Sequence, residues 1–212
     1  MKRIAVLASG SGTNLQALLD AVATGALDAR VAVVISDRAE SGALRRAVAA
    51  DVAALALPLA DRHDPAAREA YDRQLADILA AFHSDLIVLA GWMLILHEAF
   101  LDRFPSRVLN VHPALLPDGE AVEVLTSHGL LPVLRGPRPV RDALQRRFPV
   151  TGATVHYVTR AVDTGPVILR EEVPVLPDDD EESLHERIKA VEHRLLPRAV
   201  GMALADAKNE EG

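Results

Sequence analysis

The fold is decided by Ile4-Ala-Val-Leu-Ala-Ser-Gly-Ser-Gly-Thr-Asn14. An apolar run from Arg3 to Ala8 has the length of a strand, and the Gly/Ser turn after it leads into a helical apolar pattern from Asn14 to Thr24. A strand, a glycine turn and a helix in this order are typical of the first part of a βαβ unit. This stretch therefore predicts a parallel sheet with a helix packed on it.

The same alternation of short apolar runs and longer helical patterns continues along the chain. Further strands are predicted at Val31–Ile35, Ala53–Leu57, Leu86–Ala90, Val108–Val111, Ala153–Val158 and Val167–Val175. Further helices are predicted at Gly42–Ala50, Pro65–Phe82, His97–Phe104, Val140–Arg147 and Ser183–Ala205. The pattern indicates an α/β fold with a single open, mostly parallel twisted sheet, helices on both faces, and an antiparallel strand near the C-terminal part. Because no linker or internal repeat divides residues 1–212, we expect one domain.

Composition and charge narrow the classes of function. A formal net charge of −7 argues against binding along a nucleic-acid backbone, which needs clustered lysine and arginine to displace counterions. The chain has no cysteine, which removes disulfides, thiol nucleophiles and thiolate metal sites and fits a reducing compartment. No apolar segment approaches the ~20 residues of a membrane span. We expect a cytoplasmic monomer or homodimer that binds small molecules and neither nucleic acid nor membrane.

The glycine turn before the first helix is a candidate phosphate site. Backbone N–H groups at the start of a helix have no partner within the helix and attract anions. The turn is neither a Walker loop nor a full dinucleotide fingerprint, because Gly-Lys-Ser/Thr and a third glycine at the required spacing are both missing. A plain tight turn capped by Thr13 or Asn14 explains the pattern equally well.

Asn110 and His112 lie at the end of the strand predicted at Val108–Val111. Ligands of open α/β sheets bind just outside the carboxyl ends of the strands, and alternation along a strand puts these two side chains on the same side. An amide and an imidazole that converge on one atom suit a developing oxyanion. From the pattern alone, an asparagine and a histidine that bond to loop carbonyls remain the more common explanation.

Asp163 lies between the last two predicted strands, just before Gly165. The ordinary explanation is an aspartate turn, although a carboxylate close to an imidazole would favour its charged form and fix its orientation. His156, in the middle of a strand, is explained slightly better as a core imidazole with one backbone partner. The histidines show no zinc-ligand spacing, so we expect no catalytic metal.

Taken together, several motifs resemble the formyltransferases that use 10-formyltetrahydrofolate. Besides Ile4 to Asn14, they are Leu89-Ala-Gly-Trp-Met-Leu-Ile-Leu96, Leu109-Asn-Val-His-Pro-Ala-Leu-Leu-Pro117, Gly152-Ala-Thr-Val-His-Tyr-Val158 leading to Asp163-Thr-Gly-Pro-Val-Ile168, and Glu192-His193. The resemblance covers nearly the whole chain and keeps the family's order. It implies transfer of a formyl group from 10-formyltetrahydrofolate, as co-substrate, to the amine of glycinamide ribonucleotide in purine biosynthesis.

Carried over residue by residue, the resemblance implies a catalytic trio of Asn110, His112 and Asp163. It implies that Gly12, Thr13 and Asn14 hold the substrate phosphate and that Glu192 holds the ribose hydroxyls. The folate-binding positions that it implies are Arg68, Met93, Leu94, Ile95, Leu96, Asn110, Val158, Thr159, Arg160, Ala161, Val162 and Asp163.

One segment departs from the family pattern. After Leu116-Pro117 the family runs through a short loop to a helix that matches Val140–Leu144, whereas this chain has an insertion at about residues 118–134. The family's loop histidine falls on Arg138. Because loop insertions cost little free energy, we expect the fold to tolerate this one, with its conformation open.

Other functions remain open at this point. A formyltetrahydrofolate deformylase would use similar residues with water as the acceptor, although that family normally carries an extra domain ahead of the catalytic one. A methionyl-tRNA formyltransferase would need a further domain and a basic face, and neither is visible. A sugar-nucleotide N-formyltransferase stays possible. From another class, a nucleotide-binding module without catalysis would fit the fold, but it has no need of the trio.

Overall fold

The computed structural model describes residues 1–209. The strands are β1 (Lys2–Leu7), β2 (Ala29–Ser36), β3 (Ala54–Ala56), β4 (Leu86–Leu89), β5 (Val108–His112), β6 (Glu123–Thr126), β7 (Gly129–Pro132), β8 (Val150–Tyr157) and β9 (Val167–Pro174). The helices are α1 (Thr13–Ala23), α2 (Gly42–Ala49), α3 (Pro65–Ala81), α4 (Glu98–Leu101), α5 (Pro139–Gln145) and α6 (Glu181–Asn209).

The main sheet has seven strands in the order β3-β2-β1-β4-β5-β8-β9. Strands β1 to β5 pair in parallel with one another, while β8 pairs antiparallel with both β5 and β9. Strand β8 is therefore the one strand of this described sheet that runs against the others. The predicted fold class, a mostly parallel open sheet with an antiparallel strand near the C-terminal part, is confirmed.

Two apolar layers cover the two faces of the sheet. Ile4 and Val6 of β1 belong to the layer with buried residues of α1, α2 and α6, whereas Ala5 and Leu7 belong to the layer with α3 and α4. Both faces of β1 are thus covered by helices. This explains why its sequence is a continuous apolar run and not an alternation of apolar and polar residues.

Local signals explain where α2 and α3 begin. The side chain of Ser41 accepts a hydrogen bond from the backbone N–H of Leu44 at the start of α2, and Asp64 caps α3, which has Pro65 in its first turn. The predicted helix over His97–Phe104 is shorter in the structure. Beyond α4 the chain continues in tighter turns, in which the N–H of Arg103 donates to the Phe100 carbonyl three residues earlier. An α-helix would need bonds to the residue four earlier, so α4 ends at Leu101.

The inserted segment forms a hairpin that the sequence pattern did not predict. Strands β6 and β7 pair antiparallel in a small separate sheet, and the turn between them ends at Gly129, whose φ is 95°. The buried side chains of Val124 and Leu134 face Ala114 and Phe148. The hairpin is therefore held on the main body by apolar packing. None of the helices in residues 1–209 has the length and apolar character needed to cross a membrane.

Candidate active site

The candidate site is built at the carboxyl end of β5. Asn110 is half-buried and His112 is buried, and antiparallel pairing with β8 sets His156 opposite Asn110 and Thr154 opposite His112. Because paired residues share a face of the sheet, the side chain of His156 is brought beside that of Asn110. The amide Nδ2 of Asn110 lies 3.2 Å from Nε2 of His156.

Asp163 reaches this cluster from the loop between β8 and β9. Its φ of 55° is left-handed, and the loop runs so close to β8 that a Cβ on Gly165 would lie 1.8 Å from the carbonyl oxygen of Tyr157. One carboxylate oxygen of Asp163 is 3.5 Å from Nδ1 of His112, and the other is 3.6 Å from Nε2 of His156. The structure thus brings Asn110, His112 and Asp163 together, with His156 as a fourth member.

Backbone carbonyls determine which nitrogens of the two imidazoles carry protons. Nε2 of His112 lies 2.7 Å from the Leu134 carbonyl oxygen, and Nδ1 of His156 lies 2.9 Å from that of Tyr157. A carbonyl only accepts, so each of these nitrogens carries a hydrogen and donates it. In its neutral form His156 then accepts an N–H from Asn110 at Nε2, which orients the amide of that residue.

Burial and charge act in opposite directions on this cluster. Burial lowers the pKa of His112, which is 4% exposed, although the negative charge of Asp163 works against that shift. Burial by itself would raise the pKa of Asp163, but His156, His112 and the N–H of Gly136 together hold it below its usual value. At neutral pH the site therefore contains an ionised carboxylate beside a neutral imidazole.

The predicted phosphate and ribose residues also lie together. Gly12 has a φ of 76°, and a Cβ there would lie 2.6 Å from Cα of Ala43 in α2, so only glycine fits this position in the turn between β1 and α1. The amide Nδ2 of Asn14 donates to the carboxylate of Glu192 at 2.9 Å, and both side chains are buried. Burial raises the pKa of Glu192, and the bond from Asn14 opposes that rise. Thr13, the first residue of α1, follows Gly12 directly.

The predicted folate segment, residues 93–96, follows β4 at the same end of the sheet. Met93 and Ile95 expose 58% and 63% of their surface, which leaves apolar side chains available to a ligand, while Leu96 is buried. Arg68 is buried behind the segment, where its guanidinium donates to the Ile95 carbonyl. Arg68 supports the backbone of this segment and does not face outward.

The second group of predicted folate positions is the loop from Val158 to Asp163. Its middle is exposed: Arg160 forms an ion pair with Asp102, with the nearest atoms 3.0 Å apart, and Val162 is 46% exposed. The Thr159 hydroxyl donates to the Ala161 carbonyl, which stabilises the bend. The loop is thus held by a local bond and by an ion pair to the end of α4, whereas Arg68 of α3 holds the 93–96 segment.

Comparison with known proteins decides the family. Residues 2–200 match the formyl transferase family model. This chain belongs to the formyl transferase family. It is 46% identical over 198 residues to a phosphoribosylglycinamide formyltransferase of Mycobacterium tuberculosis, covering 93% of this chain and 83% of that one. A glycinamide ribonucleotide transformylase of Symbiobacterium toebii has a TM-score of 0.85 and 44% identity, covering 97% of this chain and 89% of the other.

A hydrolase of the same fold is a more distant neighbour. A formyltetrahydrofolate deformylase of Pseudomonas syringae has a TM-score of 0.79 and 28% identity to this formyl transferase family member. The alignment covers 97% of this chain but only 62% of the deformylase. The hydrolase therefore has a large part with no counterpart in this chain.

Sequence reasoning missed several contributors to the site of this formyl transferase family member. The expectation that His156 is a core imidazole with one backbone partner is confirmed, since it is buried and bonds to the Tyr157 carbonyl. What the sequence missed is its contact with Asn110, which only the pairing of β8 with β5 reveals. Ser9 donates its N–H to the Gly91 carbonyl, and its hydroxyl accepts the N–H of Met93, with both bonds 3.0 Å long. Ser9 thereby connects the glycine turn to the predicted folate segment, a link that no local pattern signals.

Arg138, at the position of the family's loop histidine, is exposed and forms no side-chain bond to the start of α5. The loop contacts to His112 and Asp163 come instead from the carbonyl of Leu134 and the N–H of Gly136. Within residues 1–209, no group of three or more histidine, aspartate or glutamate side chains is arranged to hold a metal ion.

Proposed function

We propose that this chain transfers a formyl group from 10-formyltetrahydrofolate to the amine of glycinamide ribonucleotide, a step of purine biosynthesis. The observation that carries the proposal is the cluster of Asn110, His112 and Asp163 at the end of β5, where the carboxylate lies 3.5 Å from the imidazole. The family assignment and the names of the similar proteins support the choice of substrates. We also propose that the protein is cytoplasmic.

The two substrates would approach the trio from opposite sides. The phosphate would bind the backbone N–H groups at the start of α1, and the ribose hydroxyls would bind the carboxylate of Glu192. The donor's pterin would lie between residues 93–96 and the loop Val158–Asp163. Fixing both partners in this way turns a bimolecular reaction into an effectively unimolecular one, which is a large part of the rate enhancement.

The reaction needs no covalent enzyme intermediate. The substrate amine attacks the formyl carbon, which gives a tetrahedral centre with a negatively charged oxygen. The bond from that carbon to N10 of the folate then breaks, N10 takes up a proton, and the amine loses one. The products are the formylated amine and tetrahydrofolate.

Asn110 is the natural partner of the tetrahedral oxygen. One N–H of its amide is directed to His156, and the second remains to stabilise the oxyanion. Loss of one such donor commonly costs about 10²–10³ in rate. His112, whose Nε2 is directed to Leu134, would contribute through Nδ1 when that nitrogen is protonated, beside Asp163.

Asp163 would accept the proton of the amine, directly or through one water. Its lowered pKa keeps it ionised at neutral pH, as a general base requires. Its negative charge would also stabilise the imidazolium of His112 whenever that form appears. The carboxylate therefore serves both the proton transfer and the orientation of the imidazole.

The test is an assay that separates this function from its rivals. Purified protein is mixed with 10-formyltetrahydrofolate and glycinamide ribonucleotide, and both tetrahydrofolate and the formylated nucleotide are measured. We expect both products in equal amounts and none when the amine is left out. Tetrahydrofolate formed without the amine would support a deformylase, and product formed only with an amino-sugar nucleotide would support a sugar-nucleotide N-formyltransferase.

A further inference from the structure

The end of the inserted segment and the residues just after it contact the trio through their backbone. The carbonyl of Leu134 accepts a hydrogen bond from Nε2 of His112 at 2.7 Å, and the N–H of Gly136 donates to the carboxylate of Asp163 at 3.3 Å. These two contacts flank a single residue, Arg135. A small shift of this residue along the chain would therefore disturb both contacts at once.

The guanidinium of Arg135 bonds to three backbone carbonyls. Nε donates to the carbonyl of Asp163 at 3.1 Å, and Nη2 donates to those of Gly119 at 3.1 Å and Ala121 at 2.9 Å. One acceptor thus lies on the loop that carries the carboxylate of the trio, and the other two lie at the start of the insertion. The rigid fork of donors in a guanidinium suits such a three-way junction.

The hairpin needs an anchor at its base. A two-stranded hairpin alone is marginally stable in water, so the position of β6 and β7 depends on what holds them. Val124 and Leu134 anchor the apolar side, and the backbone N–H and hydroxyl of Ser127 bond to Glu172 near the turn. At the base of the insertion, the Asp118 carboxylate accepts the N–H of Val167, and Arg135 supplies a further anchor through Gly119 and Ala121.

We propose that Arg135 is a positioning residue for formyl transfer, which fastens the inserted hairpin to the Asp163 loop and so holds the Leu134 carbonyl and the Gly136 N–H on the His112–Asp163 pair. The inference rests on the proposed function and deepens it. The insertion then forms one side of the site and keeps a fixed position there. Its contribution is to keep the His112 ring oriented with Nε2 on the Leu134 carbonyl and Nδ1 toward Asp163, so that the proton that makes the imidazolium a donor enters at Nδ1.

The test compares Arg135→Met with Arg135→Lys. Methionine keeps the length and apolar stem of the side chain but removes all donors, whereas lysine retains donors without the fork. The matched control is Arg141→Met, because Arg141 is an exposed arginine on α5. Misplacement of catalytic groups by about 1 Å can cost about 100-fold in rate, so we expect Arg135→Met to lower kcat about 10- to 100-fold. KM for both substrates should change little, Arg135→Lys should recover part of kcat, and Arg141→Met should match the wild type.

A second measurement reads the imidazole without any substrate. Nitrogen NMR of the His112 ring, identified by its loss in His112→Gln, should show hydrogen on Nε2 in the wild type and a mixture of the two neutral forms in Arg135→Met. Wild-type kcat in Arg135→Met, or an unchanged His112 ring signal in that variant, would overturn the proposal. Absence of formyl transfer by the wild-type protein would instead refute the proposed function, since the ring signal does not depend on it.

Discussion

At the scale of single residues, the chemistry of the site is set by two backbone carbonyls. The carbonyls of Leu134 and Tyr157 each accept from one nitrogen of an imidazole, which leaves the other nitrogen of His112 and of His156 facing Asp163. Neither imidazole can exchange its two nitrogens without losing a bond to a carbonyl. The hydrogen on the carbonyl-facing nitrogen of each imidazole is therefore in place before any substrate binds.

Replacement of Asp163 by asparagine should abolish most of the activity. Asparagine has the same shape and still accepts the N–H of Gly136, but it cannot take a proton from the amine. We expect kcat to fall about 10²–10⁴-fold with little change in KM, measured by tetrahydrofolate release. The matched control is Asp77→Asn, because the Asp77 side chain is 72% exposed in a surface ion pair. Turnover of Asp163→Asn at the wild-type rate would remove this residue from the mechanism.

At the scale of elements, the turn before α6 decides where Glu192 lies. The carboxylate of Asp179 accepts bonds from the N–H of Leu176 at 2.7 Å, the hydroxyl of Ser183 at 3.0 Å and the guanidinium of Arg187 at 2.7 and 2.8 Å. These bonds connect the end of β9 to the first turns of α6. The start of the helix is thus fixed relative to the sheet. The position of Glu192 along the sheet, beside Asn14 of α1, follows from it.

Because of this turn, the stability of the fold should depend on pH in the acid range. Hydrogen bonds from Arg187 lower the pKa of Asp179 well below its usual value in spite of some burial. A lowered folded-state pKa stabilises the fold above the unfolded pKa of about 4, and this stabilisation is lost as the pH falls toward the folded value. The melting temperature of Asp179→Asn should therefore lie below that of the wild type at neutral pH, with a gap that narrows below about pH 4. Calorimetry at several pH values measures it.

The neighbouring Asp178 provides the control for that experiment. Asp178 is exposed, so Asp178→Asn should melt like the wild type at each pH. A gap for Asp179→Asn that stays constant from neutral to acid pH would contradict the account of this turn.

At the scale of the whole molecule, one sheet connects two apolar layers. Leu75 of α3 is fully buried on one face, and Ile188 of α6 is fully buried on the other. Each strand of the parallel half contributes side chains to both layers. Loss of either layer would therefore expose apolar side chains of the same strands that hold the other layer. We therefore expect the chain to unfold as one domain.

The additivity of core substitutions tests this expectation. Leu75→Ala should lower the free energy of unfolding by about 2–5 kcal/mol and Ile188→Val by about 0.5–1.5 kcal/mol. Because the sheet separates the two sites, the double variant should lose the sum within about 0.5 kcal/mol, in a single urea transition. Two separate transitions would show that the layers unfold independently.

The amino-acid sequence by itself determined the order of the helices and of the strands of the main sheet, and with it the fold class. The apolar run before the glycine turn and the continuous run at Leu86–Leu89 depend on burial of local segments, which residue patterns record directly. The resemblance then indicated which residues form the trio. In the same way, the glycine that opens α1 was visible because its left-handed φ tolerates few other residues.

Only the tertiary structure decided how those residues are held. The hairpin at residues 123–132 shows only a weak alternation of apolar and polar residues. Packing against Ala114 and Phe148 sets its position, and a local pattern does not report that contact. The bonds of His112 to Leu134 and of Asn110 to His156 join residues 22 and 46 positions apart in the chain. A local pattern reports which face of an element is buried. It carries no information on which distant backbone carbonyl a buried imidazole will meet, since strand pairing and loop packing set that distance.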